Sequence, residues 1–135
     1  MAQKVSEISS LNLAFLGDAV FELFLREEAV SNHKGNVNAL NKRTVEYSKA
    51  VTQAKIADIL LGKVGGDCML DDEELAVFKR GRNAKGVSIP KSATPSEYRK
   101  ATGLEALIGY LYLQKKTERI TQLITYGIEQ YKEIK

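Results

Sequence analysis

The sequence predicts an all-α protein of about six helices. Apolar residues recur at helical spacing along most of the chain, and no segment of useful length alternates as a strand does. Two segments begin with a capping residue followed three positions later by a glutamate, which is typical of a helix start. At 135 residues and 44% hydrophobic, the chain can bury the core of one domain, which we place at residues 1–135.

The first three helices are predicted in the N-terminal half. The first runs from about Leu11 to Val30, and its apolar residues cover most of the helical circumference, which indicates a buried helix. A loop rich in Asn and Gly follows at residues 31–36. Amphipathic patterns then predict a second helix over Val37–Tyr47 and a third over Ser48–Leu61.

The fourth helix is predicted over Asp72–Arg80. Asp71 and Glu74 have the spacing of a capping box, and Gly81 is expected to end the helix. Residues 82–93 show no periodicity and include Gly86 and Pro90, so we expect a loop that carries several cations.

The last two helices follow Thr94. Thr94, Pro95 and Glu97 predict a strong helix start, and the fifth helix is expected to continue to about Lys115. A sixth, amphipathic helix is predicted over Glu118–Tyr131.

Composition excludes several classes of function. The single cysteine, Cys68, cannot form an intrachain disulfide, and with His33 as the only histidine a zinc cluster cannot be assembled. No apolar run approaches the roughly 20 residues of a membrane span, and no signal-peptide core follows the N-terminus. We therefore expect a cytoplasmic protein with no membrane partner.

Two isolated acids lie in apolar helices. Asp18 is surrounded by LAFLGDAVFELFL, and Glu105 opens the apolar run ALIGYLYL. A carboxylate in such surroundings is costly unless it is paired, hydrogen-bonded or metal-bound. A structural acid bonded to a neighbouring helix would explain either residue equally well. Gly17 and Gly109, each close to one of the acids, could allow a close approach of two backbones or of a substrate.

If these two helices cross at the usual separation of about 8–10 Å, Asp18 and Glu105 could reach one cation. Oxygen ligands without His or Cys favour Mg²⁺, with Mn²⁺ as a substitute. A phosphodiester substrate would then complete the ligand shell, and the metal would activate water for in-line attack.

Positive charge is concentrated after the fourth helix. The net charge is only +3, but residues 79–100 hold seven cations and one acid. A solvated helix end would also carry cations, yet the number of cations and nearby polar side chains favours contacts with a phosphate backbone. Few aromatics are interleaved, which favours duplex shape over stacking on single strands. The candidate RNA-binding residues are Lys79, Arg80, Arg82, Asn83, Lys85, Lys91 and Arg99.

Several segments resemble the catalytic domains of the ribonuclease III family. FLGDAVFE at residues 15–22 resembles the signature helix, and LEALIGYLYL at residues 104–113 resembles the second metal-binding helix. With FKRGRNAK at 78–85, Pro90-Lys91 and YRKATG from Tyr98, the pattern is most similar to the Mini-ribonuclease III branch, which has the catalytic domain alone.

This resemblance implies an all-helical homodimer with a positively charged valley for double-stranded RNA. It implies an Mg²⁺-dependent centre in each subunit, which leaves 5′-phosphate and 3′-hydroxyl ends and acts on the large-subunit (23S) ribosomal RNA precursor. Asp18 and Glu105 match the family's catalytic and metal-binding acids. The chain ends at Lys135 without a separate double-stranded-RNA-binding domain, so the grip on RNA is expected to come from the loop at 82–93 and from dimerisation.

The chain departs from full-length ribonuclease III at three positions. Those enzymes carry further acids where this chain has Leu11, Ala14 and Thr102. Because Mini-ribonuclease III members share this thinner set of acids, we expect one Mg²⁺ held by Asp18, Glu105 and water rather than a two-metal centre.

Three other functions are compatible with parts of the pattern. A non-catalytic RNA-binding or ribosome-assembly module on the same fold would not need both Asp18 and Glu105. A helical nucleotide pyrophosphohydrolase would place its acids on adjacent helical turns. A purely structural helical protein explains the apolar helices but neither acid. The family motifs favour the endoribonuclease.

Overall fold

The computed structural model describes residues 4–86 and 88–134. Within these ranges the chain forms six α-helices, a short 3₁₀ helix and no strand, so the all-α prediction of six helices is confirmed. The 3₁₀ helix is Val5–Glu7, and the α-helices are α1 (Ser10–Asn32), α2 (Val37–Ser48), α3 (Ala50–Leu60), α4 (Asp72–Arg82), α5 (Pro95–Leu113) and α6 (Thr117–Ile134).

Helix α5 is the centre of the fold. Its residues Ala106, Leu107 and Ile108 have no exposed surface. It packs most extensively against α1, then against α4 and α3, and more lightly against α6. The amphipathic helix α6 covers the core with Ile120, Leu123, Ile124 and Ile128, as its pattern predicts. The burial of α5 from Ala101 to Leu111 explains why this part of the helix is apolar on nearly all sides.

Both predicted capping boxes are present. The Asp71 side chain accepts from the Glu74 amide at 2.8 Å, and the Glu74 carboxylate accepts from the Asp71 amide at 3.0 Å. Thr94 and Glu97 form the same reciprocal pair at 3.1 and 3.0 Å. These contacts satisfy backbone N–H groups that a helix start leaves free.

Two predicted helix ends are wrong. Helix α4 does not stop at Gly81 but continues to Arg82, because Gly81 packs against α5 and supplies space rather than a turn. Helix α5 ends at Leu113 rather than near Lys115, because Lys115 has the left-handed backbone with φ 60°. The third helix also starts later than predicted, at Ala50, since Lys49 is extended.

The expectation that the first helix is a buried helix is wrong for one of its sides. One side of α1 is open, with Phe15 85%, Leu23 57% and Val30 69% exposed. Asp18 is exposed as well. The opposite side of α1 packs in the core through Leu13, Phe21, Leu25 and Ala29. Because both sides of α1 are apolar, the composition of the helix does not show which side is buried and which is exposed.

The segment between α4 and α5 has no helix or strand at residues 83–86 and 88–94, as predicted for the basic loop. Residue 87 of that predicted loop lies outside the described residues.

Candidate active site

The site is built where α1 and α5 touch. A Cβ on Gly17 would overlap the carbonyl oxygen of Glu105, and a Cβ on Gly109 would overlap the carbonyl oxygen of Leu13. Side chains are therefore excluded at both crossing points, and the two helix backbones lie in direct contact. Because Asp18 follows Gly17 and the Gly17 contact is with Glu105 itself, this crossing brings the two acids together.

Asp18 and Glu105 line one cavity of about 400 Å³ that opens to solvent. Four helices, α1, α2, α3 and α5, contribute to its wall. The other lining residues are Leu11, Ala14, Phe15, Ser48, Ala50, Gln53, Tyr98, Ala101 and Thr102. The predicted convergence of the two acids is thus present in the structure.

The two carboxyl groups have different surroundings. Asp18 is exposed, whereas Glu105 is mostly buried. Burial, followed by the hydrogen bond with Asp18 and the charge of Asp18, raises the pKa of Glu105 to about 9. The side-chain amide of Gln53 lowers this pKa and so acts in the opposite direction. At neutral pH, the metal-free protein therefore keeps a proton on Glu105.

This acid pair fits a hard divalent cation. Two close carboxylates repel each other when both are ionised, and a bound cation would remove that repulsion. Mg²⁺ typically takes one or two protein carboxylates and keeps several waters. Leu11, Ala14 and Thr102 supply no further acid to the cavity, and no cluster of three His, Cys, Asp or Glu occurs in residues 4–86 and 88–134. The donor set therefore suits a cation that remains largely hydrated.

Most of the predicted RNA-binding residues line two cavities at the end of α4. One, of about 420 Å³, is lined by Arg82, Asn83, Ala84, Lys85, Gly86, Ile89 and Arg99. The second, of about 530 Å³, is lined by Ser9, Ser10, Leu11, Lys79, Arg80, Asn83, Ala84 and Lys85. We refer to these two cavities together as the basic surface. Leu11 lines both the second basic cavity and the acid cavity, so the basic surface borders the acids.

Two other cations of the same segment are placed differently. Lys91 is exposed but lines neither cavity of the basic surface. Lys100 forms an ion pair with Asp58 at 3.0 Å between Nζ and Oδ2. The local positive charge seen in the sequence is therefore divided between the basic surface, an outlying lysine and a structural ion pair.

The packing of α4 on α5 fixes the basic surface. A Cβ on Gly81 would lie 2.8 Å from the Cβ of Ala106, and a Cβ on Gly103 would lie 2.8 Å from the carbonyl oxygen of Phe78. The last turn of α4, which carries three of the cations, is thus held against the same helix that carries Glu105.

Sequence reasoning missed Gln53. This residue lies on α3, is only 3% exposed and lines the acid cavity. Its burial could have been found, because Ile56 and Ala57 lie three and four positions later on the same helical face and are apolar. Its proximity to the acids could not, since that depends on how α3 packs against α5.

Comparisons with known proteins agree with this geometry. The family model for the Ribonuclease III domain matches residues 11–116. A Mini-ribonuclease 3 from Clostridium tetani is 39% identical over 132 residues, which are 97% of this chain and 83% of the relative. A Mini-ribonuclease 3 from Symbiobacterium thermophilum is 43% identical over 114 residues, which are 84% of this chain and 83% of the relative.

A solved structure is also similar. The crystal structure of a protein from Fusobacterium nucleatum superposes with a TM-score of 0.78 at 37% identity, covering 92% of this chain and 94% of that one. In the part of the chain that the structure describes, no helix is both long and apolar enough to cross a membrane. The family match and the relatives establish that this chain belongs to the ribonuclease III family, within its Mini-ribonuclease III branch, and is an endoribonuclease.

Proposed function

We propose that the chain is an Mg²⁺-dependent endonuclease for double-stranded RNA, with Asp18 and Glu105 as its catalytic and metal-binding residues. One observation carries the proposal: two acids far apart in the sequence meet in a single solvent-open cavity that borders the basic surface. Mn²⁺ is expected to substitute for Mg²⁺, since it also prefers oxygen ligands.

The two acids have distinct tasks in this proposal. Bound Mg²⁺ would supply Lewis-acid stabilisation of the phosphoryl oxygens and a more acidic water. Asp18, at the open side, is the carboxylate that solvent and substrate reach first. The backbone of Glu105 is held against α1, and its carboxyl group is mostly buried. The cavity of about 400 Å³ leaves room for a phosphate group and waters beside the acids. The expected products carry 5′-phosphate and 3′-hydroxyl ends, as the family resemblance implies.

The basic surface would hold the RNA backbone. Among the described residues, its two cavities are lined by cations, small residues, Asn83, Leu11 and Ile89, and by no aromatic side chain. Stacking of bases therefore has no platform there, whereas phosphate contacts have several donors. We assign RNA binding to Lys79, Arg80, Arg82, Asn83, Lys85 and Arg99, with Lys91 as a peripheral contact.

We further propose a homodimer that joins through the exposed side of α1. Phe15, Leu23 and Val30 fall on one side of this helix at a period of 3.6 residues, and each is more than half exposed. Exposed large apolar residues on one side of a helix, here interspersed with the Glu22–Arg26 ion pair, are typical of an interaction surface. Because Phe15 also lines the acid cavity, such an interface would border the site.

The cellular substrate that the family resemblance favours is the 23S ribosomal RNA precursor, processed in the cytoplasm. The alternative, a non-catalytic RNA-binding module on the same fold, would need neither Asp18 nor Glu105, so the meeting of both acids in one cavity speaks against it. The two functions differ in one respect: both bind a duplex, but only the first cleaves it.

A labelled RNA duplex and its separated strands, each incubated with the protein in Mg²⁺ or in chelator, distinguish them. We expect cleavage of the duplex in Mg²⁺ alone. Duplex binding without cleavage, with or without Mg²⁺, would favour the non-catalytic module. Equal cleavage of single strands would refute the proposed specificity for duplex RNA.

A further inference from the structure

One buried polar atom beside the acids, Nε2 of Gln53, makes no hydrogen bond of normal geometry, although the Gln53 amide already lowers the pKa of Glu105. Among the described residues, two buried side-chain atoms lack such a bond: Nε2 of Gln53 and Oδ1 of Asp58. Asp58 is paired through its other oxygen with Lys100 at 3.0 Å. A buried amide donor without a partner costs on the order of 1–3 kcal/mol. Nε2 of Gln53 is therefore a buried donor that lies close to Glu105 without a hydrogen bond of normal geometry to it, and such a group calls for an explanation.

The position of Gln53 supplies that explanation. Gln53 is only 3% exposed, yet it lines the cavity that holds Asp18 and Glu105. It reaches the site from α3, a different helix from those that carry the two acids. Its amide is also near enough to Glu105 to influence that carboxyl group. A carboxylate that uses one oxygen for a cation has a second oxygen free to accept a hydrogen bond.

We propose that Gln53 is a positioning residue, an inference that rests on the proposed function. Its side-chain Nε2 donates a hydrogen bond to Glu105 when that carboxylate binds the cation. Gln53 itself does not touch the phosphate. It restricts the rotation of Glu105 and keeps one carboxylate oxygen directed at the cation, as hydrogen bonds to metal ligands do elsewhere.

The test is metal binding measured without RNA. Mn²⁺ is titrated into the full chain and followed by electron paramagnetic resonance, with Mg²⁺ added as a competitor. We expect Gln53→Leu, which keeps the volume but removes the donor, to weaken Mn²⁺ binding about tenfold. In duplex cleavage, kcat should fall by a similar factor while KM for RNA stays within about twofold.

Ile56→Val serves as the matched control. Ile56 is on the same helix and is 1% exposed, but it does not line the acid cavity. Its truncation lowers stability without removing a polar group, so it should leave Mn²⁺ affinity and kcat unchanged. If Gln53→Leu does not fold, Gln53→Met, which is unbranched and of similar length, replaces it and must meet the same expectation.

The outcomes separate the two proposals. Mn²⁺ affinity and kcat of the Gln53 variant equal to those of the parent chain would overturn the positioning role while leaving the proposed function intact. An equal loss of affinity in Ile56→Val would also overturn it, because the effect would then be general. A parent chain that neither binds Mn²⁺ nor cleaves duplex would refute the proposed function itself.

Discussion

At the residue scale, Asp18 and Glu105 carry the same functional group in different surroundings. Asp18 is exposed, whereas Glu105 has a pKa raised to about 9 by burial and by Asp18. When the metal-free protein binds a cation, Glu105 must release its proton, so the site exchanges a proton for the cation. Metal binding should consequently release protons at neutral pH and strengthen as pH rises.

The raised pKa of Glu105 predicts a pH-dependent stability of the metal-free chain. The folded state holds this proton until about pH 9, whereas an unfolded chain releases it near 4.5. The stabilising contribution is therefore complete below about pH 4.5 and is lost progressively as pH rises to about 9. Urea unfolding in chelator at several pH values across this window measures the effect.

Glu105→Gln is the matched variant for this measurement, because it keeps the shape and removes the titration. We expect the parent to lose roughly a few kcal/mol more of unfolding free energy than the variant across the same pH window. Parallel pH profiles for the two proteins would contradict the raised pKa.

The basic surface gives a second prediction at this scale. Arg82→Ala or Lys85→Ala should weaken binding to all duplexes alike and reduce the slope of log affinity against log salt by about 1 for each phosphate that is no longer neutralised. Lys132→Ala, on the last turn of α6 and outside both basic cavities, is the control. A salt slope unchanged by both site variants would place RNA binding elsewhere.

At the element scale, the crossing of α1 and α5 determines the site. Gly17 and Gly109 bring the two backbones into contact, and no other amino acid can occupy either point without moving a helix. The spacing between Asp18 and Glu105 is thus set by two residues that have no side chain.

Gly17→Ala tests this role. The added methyl group meets the backbone of Glu105, which cannot rotate away, so we expect a loss of about 3 kcal/mol or more in unfolding free energy. In Gly127→Ala the three atoms nearest the new methyl group all belong to the Ile56 side chain, which can shift more easily than a backbone, so a smaller loss is expected. Chemical denaturation of both variants makes the comparison; equal losses would mean that the α1–α5 contact is not specially tight.

Much of the helical structure could be predicted from the sequence. Capping residues such as Asp71 and Thr94 are local signals, and they located the starts of α4 and α5 correctly. The end of α4 was misplaced because Gly81 packs against α5 instead of forming a turn. The end of α5 was misplaced because the helix stops before a single left-handed residue, Lys115. The exposure of Phe15 and the proximity of Gln53 to the acids were not predictable, because each depends on which neighbouring helix packs against that face.

At the scale of the whole molecule, the exposed side of α1 predicts a dimer. Light scattering should give twice the mass of one chain at micromolar concentration. Phe15→Ser should shift this mass toward the monomer, whereas Leu75→Ser, a half-buried apolar residue that packs against the core on α4, should lower stability and leave the association unchanged. A monomeric parent chain would remove the proposed interface.

The central claim is that Asp18 and Glu105 together hold the cation that cleaves duplex RNA. The most direct measurement is the initial rate of duplex cleavage in Mg²⁺ by the parent chain and by Asp18→Asn, purified identically and free of contaminating nuclease. We expect the rate to fall by at least about 100-fold, since several kcal/mol of metal-derived stabilisation are removed, while duplex affinity is retained. Cleavage by Asp18→Asn at the rate of the parent would contradict the claim.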